Sequence, residues 1–290
     1  MAQAPSEKWV IVNGLDFHYR DWGGSGQPMV LLHGLASSCH IWDMVAPILA
    51  KDYAVIALDQ RGHGESAKPT EGYDFASVTQ DVLGAIDYLE GPPPIVVGHS
   101  WGGSVALELA VRAPESLQGM AWVDGGMINA SARYNSVEDA KLEMSPPDFT
   151  GVKLEDFKER VRNRHQGGGM APGSHEVVMA NFEVLADQTI KAWLTRANHL
   201  RIIEALWDHR PVQLYKQVQC PVLIMPARQQ ADPSTQDRGQ RRMFSVGEAE
   251  EMLPNSKTVW LENSVHDVPI QRPELVAEVL KSHINDGFFG

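Results

Sequence analysis

The sequence predicts an α/β protein: a mainly parallel sheet of eight strands, helices on both its faces, and a block of further helices inserted late in the chain. Three observations carry this. Short apolar runs bounded by Gly, Pro or Asp alternate with amphipathic stretches through the first half. The alternation stops after Asp124 and resumes at Pro221. The 290 residues, 43% of them hydrophobic, suffice for one large core plus an insertion.

"KWVIVNG" and "LDFHYRDWG" read as two strands joined by an Asn13-Gly14 hairpin turn. "MVLL", "YAVIALD", "IVVG" and "GMAWVD" read as buried strands. A helix is expected to start at Ser77, with Gln80 completing a capping box and Val78, Val82, Ile86 and Leu89 on its inner face. A second runs from about Gly103 to Arg112 and stops before Pro114. Residues 126–218 show helical stretches such as "LEDFKERV" and "NFEVLADQTIKAWL", interrupted by Gly167-Gly168-Gly169, and no convincing strand. "PVLIMP" and "TVWLE" then supply the last two strands, and "RPELVAEVL" a closing helix with Pro273 in its first turn. The domain reading is a core of residues 1–125 and 219–290, with a helical cap at 126–218.

A net charge of −12 argues against nucleic acid or a membrane surface as partner, since both need clustered Lys and Arg. Two cysteines, Cys39 and Cys220, make no disulfide framework. The opening "MAQAPSEKWV" has no apolar core of signal-peptide length, and no stretch reaches membrane-spanning length. The expectation is a cytoplasmic soluble protein, monomer or homodimer.

"VVGHSWGG" carries the chemistry. Gly98-His99-Ser100-Trp101-Gly102 fits G-x-S-x-G between a strand and a helix, the turn that lifts a hydroxyl clear of a sheet. A serine needs a base to become nucleophilic. Of 11 histidines, His33 and His63 lie in other turns, and His99 sits beside the serine with its side chain turned away. His266 follows the last strand, at the sheet edge where such folds build their sites. The imidazole needs a carboxylate. Asp124 and Asp232 each follow a strand and either could reach it, whereas Asp267 is poorly placed to bond the neighbouring ring.

At these residues the chain resembles the α/β-hydrolase superfamily along nearly its whole length. "LLHGLASSCHIWD" resembles that family's oxyanion loop, "LDQRGHGESAKP" its D-x-R-G-x-G-x-S turn, "GHSWGG" its nucleophile elbow and "VHDVPIQRPELVAEVL" its histidine loop. The resemblance implies the α/β-hydrolase fold and a triad of Ser100, His266 and an acid. Counted from Pro221, the usual place of the acid falls on Gln230, two residues before Asp232. Asp124, 24 residues after Ser100, matches the placement in the haloalkane-dehalogenase branch and is favoured. Dehalogenases and epoxide hydrolases of this fold attack with an aspartate. A serine attacking an alkyl halide would form an ether with no route to hydrolysis, whereas acyl transfer suits it.

The implied function is hydrolysis of a small-to-medium apolar carboxylic ester or lactone, with water as second substrate and no cofactor or metal. Carbon–carbon hydrolysis, perhydrolysis, cyanohydrin lysis or ligand sensing with little turnover are the alternatives. The oxyanion donors would be the backbone N–H groups of Leu35 and Trp101. Leu35, Trp101, Met127, Ile128 and Val265 are the expected substrate contacts. Met144, Phe149, Met170, Met179, Trp193 and Trp207 also lie in or beside the cap, most of them expected to fasten it to the body.

Overall fold

Four adjacent parallel strands end level with one another, and that edge carries every residue of the expected triad that lies among the described residues. The computed structural model describes residues 4–167, 169–229 and 236–290. Strands β1 (Ser6–Val12) and β2 (Leu15–Asp21) form the expected hairpin, with Asn13 and Gly14 both at positive φ as its turn requires. They are followed by β3 (Pro28–Leu32), β4 (Ala54–Leu58), β5 (Ile95–His99) and β6 (Gly119–Val123). After a long insertion containing β7 (Phe182–Val184) and β8 (Ile190–Ala192) come β9 (Val222–Met225), β10 (Ala227–Arg228), β11 (Ser256–Thr258) and β12 (Leu261–Glu262).

The main sheet has eight strands in the order β1-β2-β4-β3-β5-β6-β9-β11. The β1–β2 and β2–β4 pairs are antiparallel, the others parallel. Alternate residues of the central strands face opposite sides, and both sides are apolar, as a sheet covered on both faces demands. Leu32, Val96, Met120, Trp122 and Ile224 pack with the Phe75–Tyr88 and Trp101–Arg112 helices. Leu31, Val97, Ala121, Val123 and Met225 pack with Trp42, Leu49 and the Pro273–Asn285 helix. Registers Leu32↔Gly98, His99↔Val123 and Val123↔Met225 align the strand ends. The segments leaving β3, β5, β6 and β9 therefore meet at one edge: His33 to Leu35, Ser100, Asp124 and Pro226.

Three expectations about elements need correction. The first concerns "NFEVLADQTIKAWL", which is a hairpin and not a helix: Phe182 pairs with Ala192 and Val184 with Ile190. Asp187 accepts from the Thr189 amide (3.0 Å) and hydroxyl (2.6 Å), and Gln188 takes φ +62°. This Asx turn fixes a reversal that helical periodicity does not reveal. The second is the Ser77 helix, which starts at Phe75 because the Asp74 carboxylate caps it by accepting from the Ser77 amide and hydroxyl. In the third, "TVWLE" divides into β11 and β12. Pro226 lacks an N–H, so the β9–β11 ladder ends at the bend and pairing resumes between β10 and β12.

Between β6 and β9 the chain otherwise folds into helices, chiefly Val137–Met144, Leu154–Gly167, Ser174–Met179 and Arg196–Asp208. Phe149 makes a cluster of edge-to-face rings with Phe157 and Phe182 inside this block. Trp193 lies under the Lys68 ammonium and donates to the Ala180 carbonyl (3.1 Å), joining the block to the body. Asn198 donates to the Tyr73 hydroxyl (2.6 Å), and the Ser38 hydroxyl to Asn181 Oδ1 (2.7 Å), adding two more ties. No helix among the described residues is long and apolar enough to cross a membrane.

Candidate active site

Ser100 caps the Trp101–Arg112 helix with φ +52° and ψ −118°, a backbone state that costs a non-glycine residue about 1–3 kcal/mol. The surroundings over-determine it. A Cβ on Gly98 would lie 2.3 Å from the Gly102 carbonyl oxygen, and one on Gly102 would lie 2.5 Å from that of Leu32, so strand and helix close only with glycine at both places. The serine thereby stands at the sheet edge, at the positive end of a helix.

His266 reaches it from the loop after β12. Its Nε2 lies 3.0 Å from Ser100 Oγ, and its Nδ1 lies 2.6 Å from Asp124 Oδ2. With Asp124 ionised, Nδ1–H donates to the carboxylate, and the free Nε2 accepts from the serine hydroxyl. Asp124 follows β6 directly at φ +46° with a side chain only 1% exposed, and its other oxygen accepts from the Ala227 amide (2.9 Å). Arg242, on the Gln236–Met252 helix, donates to Asp124 Oδ2 at 3.0 Å. Sequence reasoning missed this cation, because nothing local in "GQRRMFS" points back to a strand end more than a hundred residues earlier. The competing acid, Asp232, lies outside the described residues.

The electrostatics follow from these partners. Burial would raise the Asp124 carboxyl, but His266, Arg242 and the Ala227 amide outweigh it and hold the acid below its ordinary value. Burial would lower His266, but Asp124 and then Asp267 outweigh that and raise the imidazole, while Arg242 works against them. The His266 side chain is half exposed, so its Nε2 edge opens to solvent.

The set-aside histidines have structural tasks. The Nε2 of His33 accepts from the Gln60 amide (3.0 Å), and the Nε2 of His63 from the Ala36 amide (3.2 Å). Burial lowers both imidazoles, which keeps them neutral acceptors. His99 does turn from the serine, but it is not idle. Its Nε2–H donates to the main-chain carbonyl of His266 at 2.9 Å, and the two rings stand 4.9 Å apart. Burial, followed by the neighbouring His266, pushes its pKa down to about 4.

Among the described residues, neither the Leu35 nor the Trp101 amide has a protein acceptor. Both adjoin Ser100: Trp101 follows it in the chain, and Leu35 follows Gly34, whose Cβ position lies 3.0 Å from Ser100 Cβ. The expectation that the Trp101 side chain meets substrate needs correction. Its indole is 1% exposed and stacked on His63, because so large an apolar ring finds its place in the core beneath the elbow. Leu35, Met127 and Ile128 are half-buried against that core, and Val265 is half-buried with its amide bonded to Gln271 Oε1 (2.7 Å).

His18, Cys39 and Asp59 place potential metal-ligand atoms within 4.8 Å of one another. The His18 nitrogens, however, already bond Asp59 and Glu7 (both 2.8 Å), and Asp59 also accepts from the Cys39 and Glu65 amides. The donors are committed to one another as a buried ion-pair network.

Over 101 residues the chain is 44% identical to the soluble epoxide hydrolase of Corynebacterium sp. (strain C12), an alignment taking in 35% of each chain. For the first curated relatives matched, the chain spans only 35% to 46% of their length. It is 26% identical to the uncharacterized hydrolase YugF of Bacillus subtilis (strain 168) over 98% of both chains. The crystal structure of E-2-(acetamidomethylene)succinate hydrolase shares the fold, with a TM-score of 0.77 and 20% identity over 97% of this chain and 99% of that one. Residues 29–279 match the model of the Alpha/beta hydrolase family, and the chain belongs to that family.

Proposed function

We propose that the protein is a serine hydrolase that cleaves a small-to-medium apolar carboxylic ester or lactone through an acyl-enzyme. One observation carries the reading: Ser100 Oγ, the His266 ring and the Asp124 carboxylate form an unbroken hydrogen-bonded chain beside two amides that have no protein acceptor among the described residues. In this mechanism His266 Nε2 takes the Ser100 proton as Oγ attacks the carbonyl carbon, and Asp124 stabilises the imidazolium that results. The Leu35 and Trp101 amides hold the oxyanion. His266 returns the proton to the leaving alkoxide, then activates water at its exposed edge against the acyl ester.

Relatives that include an epoxide hydrolase raise the question of alkyl transfer. The nucleophile favours acyl transfer instead: a serine ester is opened by water, whereas the ether formed from an epoxide or alkyl halide is not. We assign residues 126–218 as a cap on a core of 1–125 and 219–290. Its ties at Ser38, Tyr73 and Ile270 support this, the last through the Ala171 amide. Leu35, Met127, Ile128 and Val265 are the proposed walls for an apolar acyl or alcohol group, with no cofactor taking part.

A series of p-nitrophenyl esters of increasing acyl length tests the reading. Turnover by the parent, lost in Ser100→Ala, is the expected result. No turnover of any ester or lactone, together with saturable binding of the same compounds, would replace catalysis with ligand sensing.

A further inference from the structure

The guanidinium of Arg242 closes a ring of hydrogen bonds around the Asp124 carboxylate. Its Nη2–H donates to Asp124 Oδ2 (3.0 Å) and its Nη1–H to the Ala227 carbonyl (2.6 Å). The amide of the same Ala227 donates to Asp124 Oδ1 (2.9 Å). A carboxylate that only had to orient an imidazole would need one donor on Oδ2. This one has two, His266 Nδ1–H and Arg242, on a side chain that is 1% exposed, while the arginine itself is 24% exposed. A full positive charge therefore shares the oxygen that faces the imidazole, through a carboxylate that is itself shielded from water.

We propose that Arg242 is a positioning residue that sets the basicity of His266: it fixes the carboxylate of Asp124 and draws off part of its charge, so the imidazole stays neutral, and able to accept the serine proton, to lower pH than an Asp–His pair alone would allow. This rests on the triad reading above. Among the described residues, the charged or titratable groups that act most on the ring are Asp124 after β6, Asp267 on its own loop, His99 at the end of β5 and Arg242 behind Asp124. The two acids favour the imidazolium and the arginine opposes it. Removing the cation takes away one of the two influences, burial being the other, that oppose the acids, so the His266 pKa is expected to rise.

Two variants separate charge from shape. Arg242→Gln retains amide donors but loses the charge, and Arg242→Lys retains the charge but loses the fork. The readout is NMR titration of the His266 ring in the full chain, assigned with His266→Gln, alongside the acid limb of kcat/KM on a p-nitrophenyl ester. Arg242→Gln is expected to raise the His266 midpoint by about half a unit or more and to move the acid limb to higher pH by the same amount. Arg242→Lys is expected to return most of both shifts. A His266 midpoint in Arg242→Gln equal to that of the parent overturns the proposal, and so does a fall in kcat at every pH with an unmoved acid limb. An NMR shift in a protein that turns over no ester leaves the electrostatic role standing and removes the proposed function instead.

Discussion

His99, immediately before Ser100, donates its Nε2–H to the main-chain carbonyl of His266, 167 residues away, at 2.9 Å. The bond joins the elbow to the histidine loop, so the 3.0 Å approach of His266 Nε2 to Ser100 is set by structure on both sides. Buried at 3% exposure and held neutral, His99 keeps its donor on Nε2 throughout the working pH range.

His99→Phe should therefore lower kcat by about tenfold, with KM nearly unchanged, because the His266 ring drifts from Ser100 while the proposed substrate contacts stay in place. Steady-state kinetics on a p-nitrophenyl ester check this. An equal loss carried by KM would locate the effect in substrate binding.

Asp124 and Asp232 compete for the role of acid, and the 2.6 Å bond to His266 favours Asp124. Asp124→Asn should reduce kcat by about 10⁴-fold, since the amide favours the wrong tautomer of the ring. Asp232→Asn should stay near the parent. Collapse of the second variant alone would reverse the assignment.

The acid limb of kcat/KM reports His266 in the free enzyme. Only the neutral ring accepts the serine proton, and Asp124 and Asp267 raise its pKa. Activity should fall as pH drops through a midpoint above the ordinary imidazole value of about 6.5. Asp124, held below its ordinary value, stays ionised across that limb. A midpoint well below the ordinary value would mean that burial outweighs the acids.

Far from the serine, burial disfavours charge on His18, but its bonds to Asp59 and Glu7 outweigh this and raise its pKa. A raised folded-state pKa gives a contribution that is whole below about 6.5 and is lost as pH rises through the folded-state value. His18→Leu removes the cationic partner of the buried Asp59 carboxylate, leaving it only amide donors, and should cost about 3 kcal/mol at mildly acidic pH. Urea titrations of parent and variant should show that gap narrowing as pH rises. A gap that widens would contradict the charged pair.

The strands, the elbow and the histidine loop are legible in the sequence because each rests on local chemistry: two-residue alternation, glycines where backbones touch, a polar loop between strand and helix. Ser100 and His266 follow from that reading, whereas the residues alone leave Asp124 and Asp232 open, and Asp124 is favoured there only through the resemblance to the haloalkane-dehalogenase branch. Arg242 and the His99 bond are not legible, since both depend on where distant helices and loops meet. The β7–β8 hairpin was hidden because Phe182 and Ile190 also suit a helical face, and the deciding signal is one Asx turn at Asp187. Trp101 misled for a related reason: its amide and its indole have different destinations.

The most direct measurement is peptide mapping of the intact protein after reaction with a p-nitrophenyl phosphonate, timed across pH. One adduct is expected, on Ser100, formed at a rate that falls below the His266 midpoint and collapses in His266→Gln. An adduct elsewhere, or labelling of Ser100 as fast without His266 as with it, would rule out the Ser100–His266 pair as the reacting unit.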